Sequence, residues 1–322
     1  MSDANAVAEV SATVTDVIDR IGEAVIAERD FLETVMTGFL ARGHVLLEDV
    51  PGTGKTLTAV AMGDALGLEY SRIQFTPDLL PSDITGSHVF DEQEGSFRFQ
   101  EGPIFANVVL ADEINRAPPK TQSALLEAMD EGQVTVGGTT YDLPEPFFVI
   151  ATQNPIEQEG TFQLPEAQRD RFVVKTSMGY PERTGELELI DRRSDRTTMM
   201  PTVDPVVDAG EVERLRQYPE QVTMEQSVRE YIVDIARATR TDSRVEVGVS
   251  PRGIQRFYEA ARARAVVAGR DFVAPDDVKA VASAVVTHRL ILTSEASIRD
   301  IDPASVTDAV LESVAVPGAT GE

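Results

Sequence analysis

The chain has 322 residues, 42% of them hydrophobic and 26% charged. That balance is globular and excludes whole-chain disorder, collagen and coiled coil; at roughly 150 residues per domain it predicts two domains. No run approaches the ~20 apolar residues of a membrane helix, the acidic N-terminus lacks the pattern of a signal peptide, and cysteine is absent, which excludes disulfides and thiol nucleophiles.

Asp and Glu number 54 against 29 Lys and Arg, a net charge of -25. The only lysines are Lys55, Lys120, Lys175 and Lys279. Such self-repulsion opposes compaction in dilute salt. The composition therefore reads as a cytoplasmic protein working in concentrated salt, as in an extreme halophile. It also counts against nucleic acid as the main partner, since phosphate binding needs a basic footprint. His44, His88 and His288 lie far apart and suggest no metal-ligand cluster.

In chain order, residues 1–12 read as a loose tail. Val14 to Leu40 shows helical spacing, closed by Gly43. Val45–Leu47 reads as a short buried strand, Leu57–Leu66 as a helix stopped by Gly67, and Arg72–Phe75 as a second strand. Val108–Ala111 is continuously apolar, the pattern of a strand buried on both faces. A helix over 121–130 follows, then strands at 147–151 and 172–176. Strands alternating with helices predict a parallel α/β sheet. Two hairpins interrupt it, one near 89–99 and one over 134–141, turning at Gly137-Gly138. Beyond Tyr180-Pro181 only helical spacing is evident, so a helical domain is expected over 181–315, after an α/β domain over 13–180. Residues 316–322 read as a second tail.

The strongest chemical signal is Pro51-Gly52-Thr53-Gly54-Lys55-Thr56, between a strand and a helix. Glycines there let backbone N–H groups cradle phosphates at the helix N-terminus. Lys55 would reach the β- and γ-phosphates of ATP, and Thr56 would place its hydroxyl on Mg²⁺. Asp49 stands where the full pattern has glycine. The strand Val108–Ala111 ends in Asp112-Glu113; Asp112 suits the Mg²⁺ shell and Glu113 the deprotonation of water. Asn154, at the tip of the strand through Ala151, is placed to contact a γ-phosphate or hold the attacking water. Arg169 and Arg171 precede another strand. Residues two apart on a helix point about 200° from each other, so one is expected to pair locally and the other to project.

The stretches 49–56, LADEINRAPPK (110–120), ATQNP (151–155) and LPEAQRDRF (164–172), with Ser250-Pro251-Arg252 and His288-Arg289, resemble the MoxR family of AAA+ ATPases over residues 20–295. The resemblance implies an AAA+ P-loop domain with a helical lid. It assigns Walker A to Lys55 and Thr56, Walker B to Asp112 and Glu113, and sensor 1 to Asn154. It makes Arg171 the arginine finger, with Arg169 as competitor at a position often apolar in the family. Arg252 becomes sensor 2, reaching the γ-phosphate from the lid. Ala27 stands where a glycine is common near the adenine pocket, so no adenine residues are assigned. The resemblance further implies a homo-oligomeric, commonly hexameric ring that remodels or activates client proteins, often with a partner carrying a von Willebrand factor A-like domain. Competing readings are a DNA-acting AAA+ motor, which Asp91, Glu92 and Glu94 in the first hairpin oppose, and a nucleotide-gated scaffold without turnover, which Glu113 opposes.

Overall fold

The computed structural model describes residues 3–155, 160–198 and 201–318. Helices α1 (Asp3–Ala24) and α2 (Arg29–Leu40) lead into β1 (Val45–Glu48), α3 (Lys55–Ala65) and β2 (Tyr70–Gln74). A short α4 (Pro81–Thr85) opens the hairpin β3 (Gly86–Asp91) and β4 (Ser96–Glu101). Next come β5 (Val108–Asp112), α5 (Pro119–Glu131), the hairpin β6 (Gln133–Val136) and β7 (Thr139–Asp142), β8 (Phe148–Gln153), α6 (Glu166–Arg169) and β9 (Val174–Thr176). The rest contains α7 (Arg183–Asp195), α8 (Ala209–Gln217), α9 (Gln226–Thr241), β10 (Val245–Val247), α10 (Pro251–Val267), α11 (Pro275–Val286), β11 (Ile291–Leu292), α12 (Ser294–Ile298) and α13 (Pro303–Ser313).

The five strands expected from the apolar runs form one parallel sheet in the order β2-β5-β8-β1-β9. Alternate residues divide the core in two. Val45, Leu47, Val108, Leu110, Phe148 and Ile150 face α1, α2, α3 and the lid helices. Leu46, Val109, Ala111, Val149 and Ala151 face α5. Burial on both faces is why these strands are apolar without alternation. The second hairpin turns at Gly137 and Gly138 with φ of 60° and 86°, the doubly positive geometry that a tight two-residue turn requires.

Two expectations are corrected. Residues 3–12 are not a tail: α1 starts at Asp3, and Met1 and Ser2 lie outside the described residues. Val7 extends the buried stripe of Val14, Val17, Ile18 and Ile21, and the helix packs on α2, α3 and α10; tertiary burial stabilises a segment whose acidic surface resembles a tail. Second, the lid is helical but also holds an antiparallel ribbon, β10 with β11. Runs of three and two residues are too short to show a period. After α13, residues 314–318 carry no helix or strand, and the remainder of the second expected tail lies outside the described residues.

Candidate nucleotide site

β1 delivers the chain to the phosphate-loop segment, and α3 begins at Lys55. Gly52 and Gly54 have φ of 86° and 107°, where an L side chain is strained. No side chain caps α3, so its first-turn amides are available to an anion. The glycine missing at position 49 is explained by the fold. Asp49 is buried, and its carboxylate accepts the N–H groups of Met178 (2.5 Å), Gly179 (3.1 Å) and Val50 (3.2 Å). It ties the loop to the segment after β9. The Lys55 ammonium is buried against the loop and donates to the carbonyls of Asp49 and Val50, both at 2.9 Å. Open left-handed glycines, an uncapped helix start, a lysine against the loop and Thr56 in the first helical turn fit a magnesium-bound nucleoside triphosphate.

β5 is buried throughout and carries Asp112 to the same edge of the sheet. Glu113 follows with φ of 56°. Thr152 of β8 links the two acids: its hydroxyl donates to Asp112 Oδ1 (2.7 Å) and accepts the Glu113 N–H (2.8 Å). The parallel register opposes Arg72 to Leu110 and Gln74 to Asp112. Arg72 donates to Asp112 Oδ2 at 2.6 and 3.2 Å. Glu113 Oε2 accepts from Gln74 Nε2 (2.9 Å) and Arg116 (3.0 Å). Both carboxylates are thus held by charge-assisted bonds in fixed orientations. Sequence reasoning missed Arg72, Gln74 and Thr152; a cross-strand register was the only signal for the first two.

Asn154 is buried directly after β8. The pairing of Glu48 with Gln153, and the bond from Asp49 N–H to Gln153 O (3.0 Å), put it level with the phosphate loop. It lines a polar cavity of about 520 Å³ with Glu48, Asn115, Gln153, Arg169 and Lys175. A second cavity, of about 220 Å³, lies between Ile26-Ala27-Glu28 and the stretch Met178 to Gly185. The Met178 sulfur lies 3.5 Å from where a Cβ on Gly54 would be. These residues come from two breaks in regular structure 150 residues apart, which no local pattern reveals.

The arginines fall elsewhere. Ser250 caps α10 by accepting the Gly253 N–H (3.0 Å), and Pro251 and Arg252 occupy its first turn. Arg252 bonds Asp130 Oδ1, and Arg171 pairs with Asp130 Oδ2 at 3.1 Å. Asp130 lies in the last turn of α5, at the N-terminal edge of the sheet. The adjacent Met129 carbonyl meets His44 Nε2 (3.0 Å), just before β1, and the His44 carbonyl accepts the Val173 N–H (2.9 Å), just before β9. The phosphate loop leaves β1 at its C-terminal edge, a four-residue strand or about 13 Å away. Arg252, expected to reach a γ-phosphate from the lid, thus stands at the edge opposite the phosphate loop of its own chain, where the start of α10 packs against the α6–β9 turn through Ser250 and Asp170. Arg169 and Arg171 do diverge, but Arg171 is the one paired within the chain, while Arg169 lines the polar cavity. Arg289 secures the same turn, donating to Asp170 (2.7 Å) and the Phe172 carbonyl (2.6 Å). Burial lowers its pKa to about 10, so it remains charged at neutral pH.

Comparison with known proteins agrees with this geometry. Residues 44–174 match the model of the ATPase family associated with various cellular activities (AAA), and residues 237–310 match the AAA lid domain. Protein YeaC of Bacillus subtilis is 45% identical over 93% of this chain and 93% of its own length. Chaperone MoxR1 of Mycobacterium tuberculosis is 42% identical over 95% of this chain and 82% of its own. A crystal structure from Cytophaga hutchinsonii superposes with a TM-score of 0.89 at 39% identity, covering 96% of each chain. With a phosphate loop, paired strand-end acids and a helical lid in this arrangement, the chain belongs to the MoxR family of AAA+ ATPases.

Proposed function

We propose that the chain hydrolyses ATP and uses the cycle to remodel or activate client proteins. The observation that carries this reading is the convergence of Lys55, Thr56, Asp112, Glu113 and Asn154 at one edge of the sheet. The uncapped start of α3 and Lys55 would bind the phosphates, with Lys55 exchanging its carbonyl partners for phosphate oxygens. Thr56 and Asp112 would hold Mg²⁺, which supplies positive charge against the phosphate oxygens; Arg72 would then share Asp112. Glu113 would take a proton from the attacking water, a role open to it once Gln74 and Arg116 release Oε2. Asn154 would orient that water. Domain limits of 13–180 and 181–315 are proposed, with α1 joined to the first.

Arg171 and Arg252 share a carboxylate at the edge opposite the chain's own phosphate loop, which supports their serving the nucleotide of a neighbouring subunit in a closed, hexameric ring. Two cations there would offset charge developing on the transferred phosphoryl group. A cytoplasmic setting and a partner with a von Willebrand factor A-like domain follow from the family likeness. Activity in concentrated salt follows from the charge. Phosphate release measured in molar salt tests the reading: Lys55→Ala should lose nucleotide binding, and Glu113→Gln should bind ATP but turn over 10²–10⁴-fold more slowly. Wild-type turnover by Glu113→Gln would refute the assignment of the base.

A further inference from the structure

The hairpin β3–β4 carries aromatic side chains along one face. His88 lies opposite Phe99, and Phe90 opposite Phe97, so all four share that face. The inner rings Phe99, Phe105 and Tyr141 are half-buried against one another, with His88 at their edge. The Phe99 ring stacks on Tyr141 of β7 with centroids 3.9 Å apart, meets Phe105 at 5.7 Å, and has His88 beside it at 5.6 Å. The Tyr141 hydroxyl bonds His88 Nε2 at 3.2 Å. The outer part is uncovered. Phe90 and Phe97 touch edge to face at 5.3 Å, yet are 51% and 70% exposed. Strand geometry explains the inner rings, which join the two hairpins, but gives no reason for two exposed phenylalanines at an acidic tip. Exposed paired aromatics of this kind mark interaction sites.

The rim narrows the choice of occupant. The turn beyond the pair is Asp91-Glu92-Gln93-Glu94-Gly95, in which Asp91 caps the N–H groups of Gln93 (2.9 Å) and Glu94 (3.2 Å). Glu92 and Glu94, in the turn that joins the strands of the two rings, are exposed. Phenyl faces attract cations, and the carboxylates add the same preference. Nucleic acid, a polyanion, would be repelled by the same carboxylates.

We propose that the Phe90–Phe97 tip binds an extended polypeptide segment of another protein, in which an apolar side chain is flanked by lysine or arginine. The apolar group covers the exposed ring pair, and its basic neighbours meet Glu92 and Glu94. This rests on the client-remodelling reading and names the chemistry of the client segment.

Fluorescence anisotropy of the full chain tests it with three labelled peptides: two leucines flanked by arginines, serines in place of the leucines, and glutamates in place of the arginines. The leucine–arginine peptide should bind best. The double variant Phe90→Ser, Phe97→Ser should weaken it roughly 30-fold, as loss of a central aromatic anchor does. A second variant, Glu92→Lys with Glu94→Lys, leaves the rings intact and should transfer the preference to the glutamate peptide. Equal binding of the serine peptide, or unchanged affinity in the phenylalanine variant, overturns the proposal. So does a change of oligomeric state in that variant by sedimentation, since the tip would then be an interface between copies. ATP turnover by the same wild-type preparation is read separately, so failure of the ATPase assignment is distinguished from failure of the tip.

Discussion

Gln74 Nε2 donates to Glu113 Oε2 at 2.9 Å, across the pairing of β2 with β5. In the proposed reaction Glu113 takes a proton from the attacking water, and Gln74 occupies a lone pair that such a base needs. Gln74→Ala should therefore raise basal ATP turnover while leaving nucleotide affinity unchanged. A hydrogen bond to a charged group contributes about 1.5–3 kcal/mol, and Arg116 still holds the same oxygen, so a rise of up to about tenfold is expected. Steady-state phosphate release reads it; a slower variant would make Gln74 a positioning residue for the base.

Arg171 and Arg252 meet on Asp130, far from the phosphate loop of their own chain. Arg171→Ala should bind ATP normally and lose turnover by about 10³-fold or more, and Arg252→Ala should behave similarly. Mixing either variant with Lys55→Ala subunits restores some sites that pair an intact loop with intact neighbouring arginines. Activity should return in part. Rings shown to contain both subunits, yet inactive, would place the arginines in cis. A dead Arg169→Ala beside an active Arg171→Ala would move the finger to Arg169.

His44 is buried between β1, β8 and α5. Its Nε2 meets the Met129 carbonyl and its Nδ1 accepts the Val149 N–H at 3.0 Å. That donor leaves Nδ1 no room for a proton, and burial lowers the pKa from 6.5 to about 4. The unfolded chain binds this proton near pH 6.5 and the folded chain only near pH 4. Stability from neutral His44 is therefore complete above pH 6.5 and falls on acidification towards pH 4, by about 3 kcal/mol in all. Denaturation midpoints across this window should show the slope. His44→Gln should show less of it, the remainder coming from His288, whose pKa burial also lowers.

The net charge of -25 predicts a salt requirement. Screening shortens from about 10 Å at 0.1 M to 3 Å at 1 M, so the melting temperature should rise between these conditions. An unchanged melting temperature would remove the halophilic reading.

The phosphate loop, the strand ending in Asp112 and Glu113, the five apolar strands and both hairpins were legible because each is set by residues adjacent in sequence: glycines that permit a turn, an apolar run, an alternation. The reach of Arg252 was not. A Ser-Pro-Arg sequence fixes a helix start through its cap but not what that start packs against, and docking on the α6–β9 turn turned it towards Asp130. The same holds for Arg72 and Gln74, which reach the acids through a register between strands 40 residues apart, and for the cavity between Ala27 and Met178. It holds too for α1, whose first turns are helical because Val7 finds a core. Local geometry and periodicity are properties of short segments; partnerships between distant side chains exist only once burial has brought the segments together.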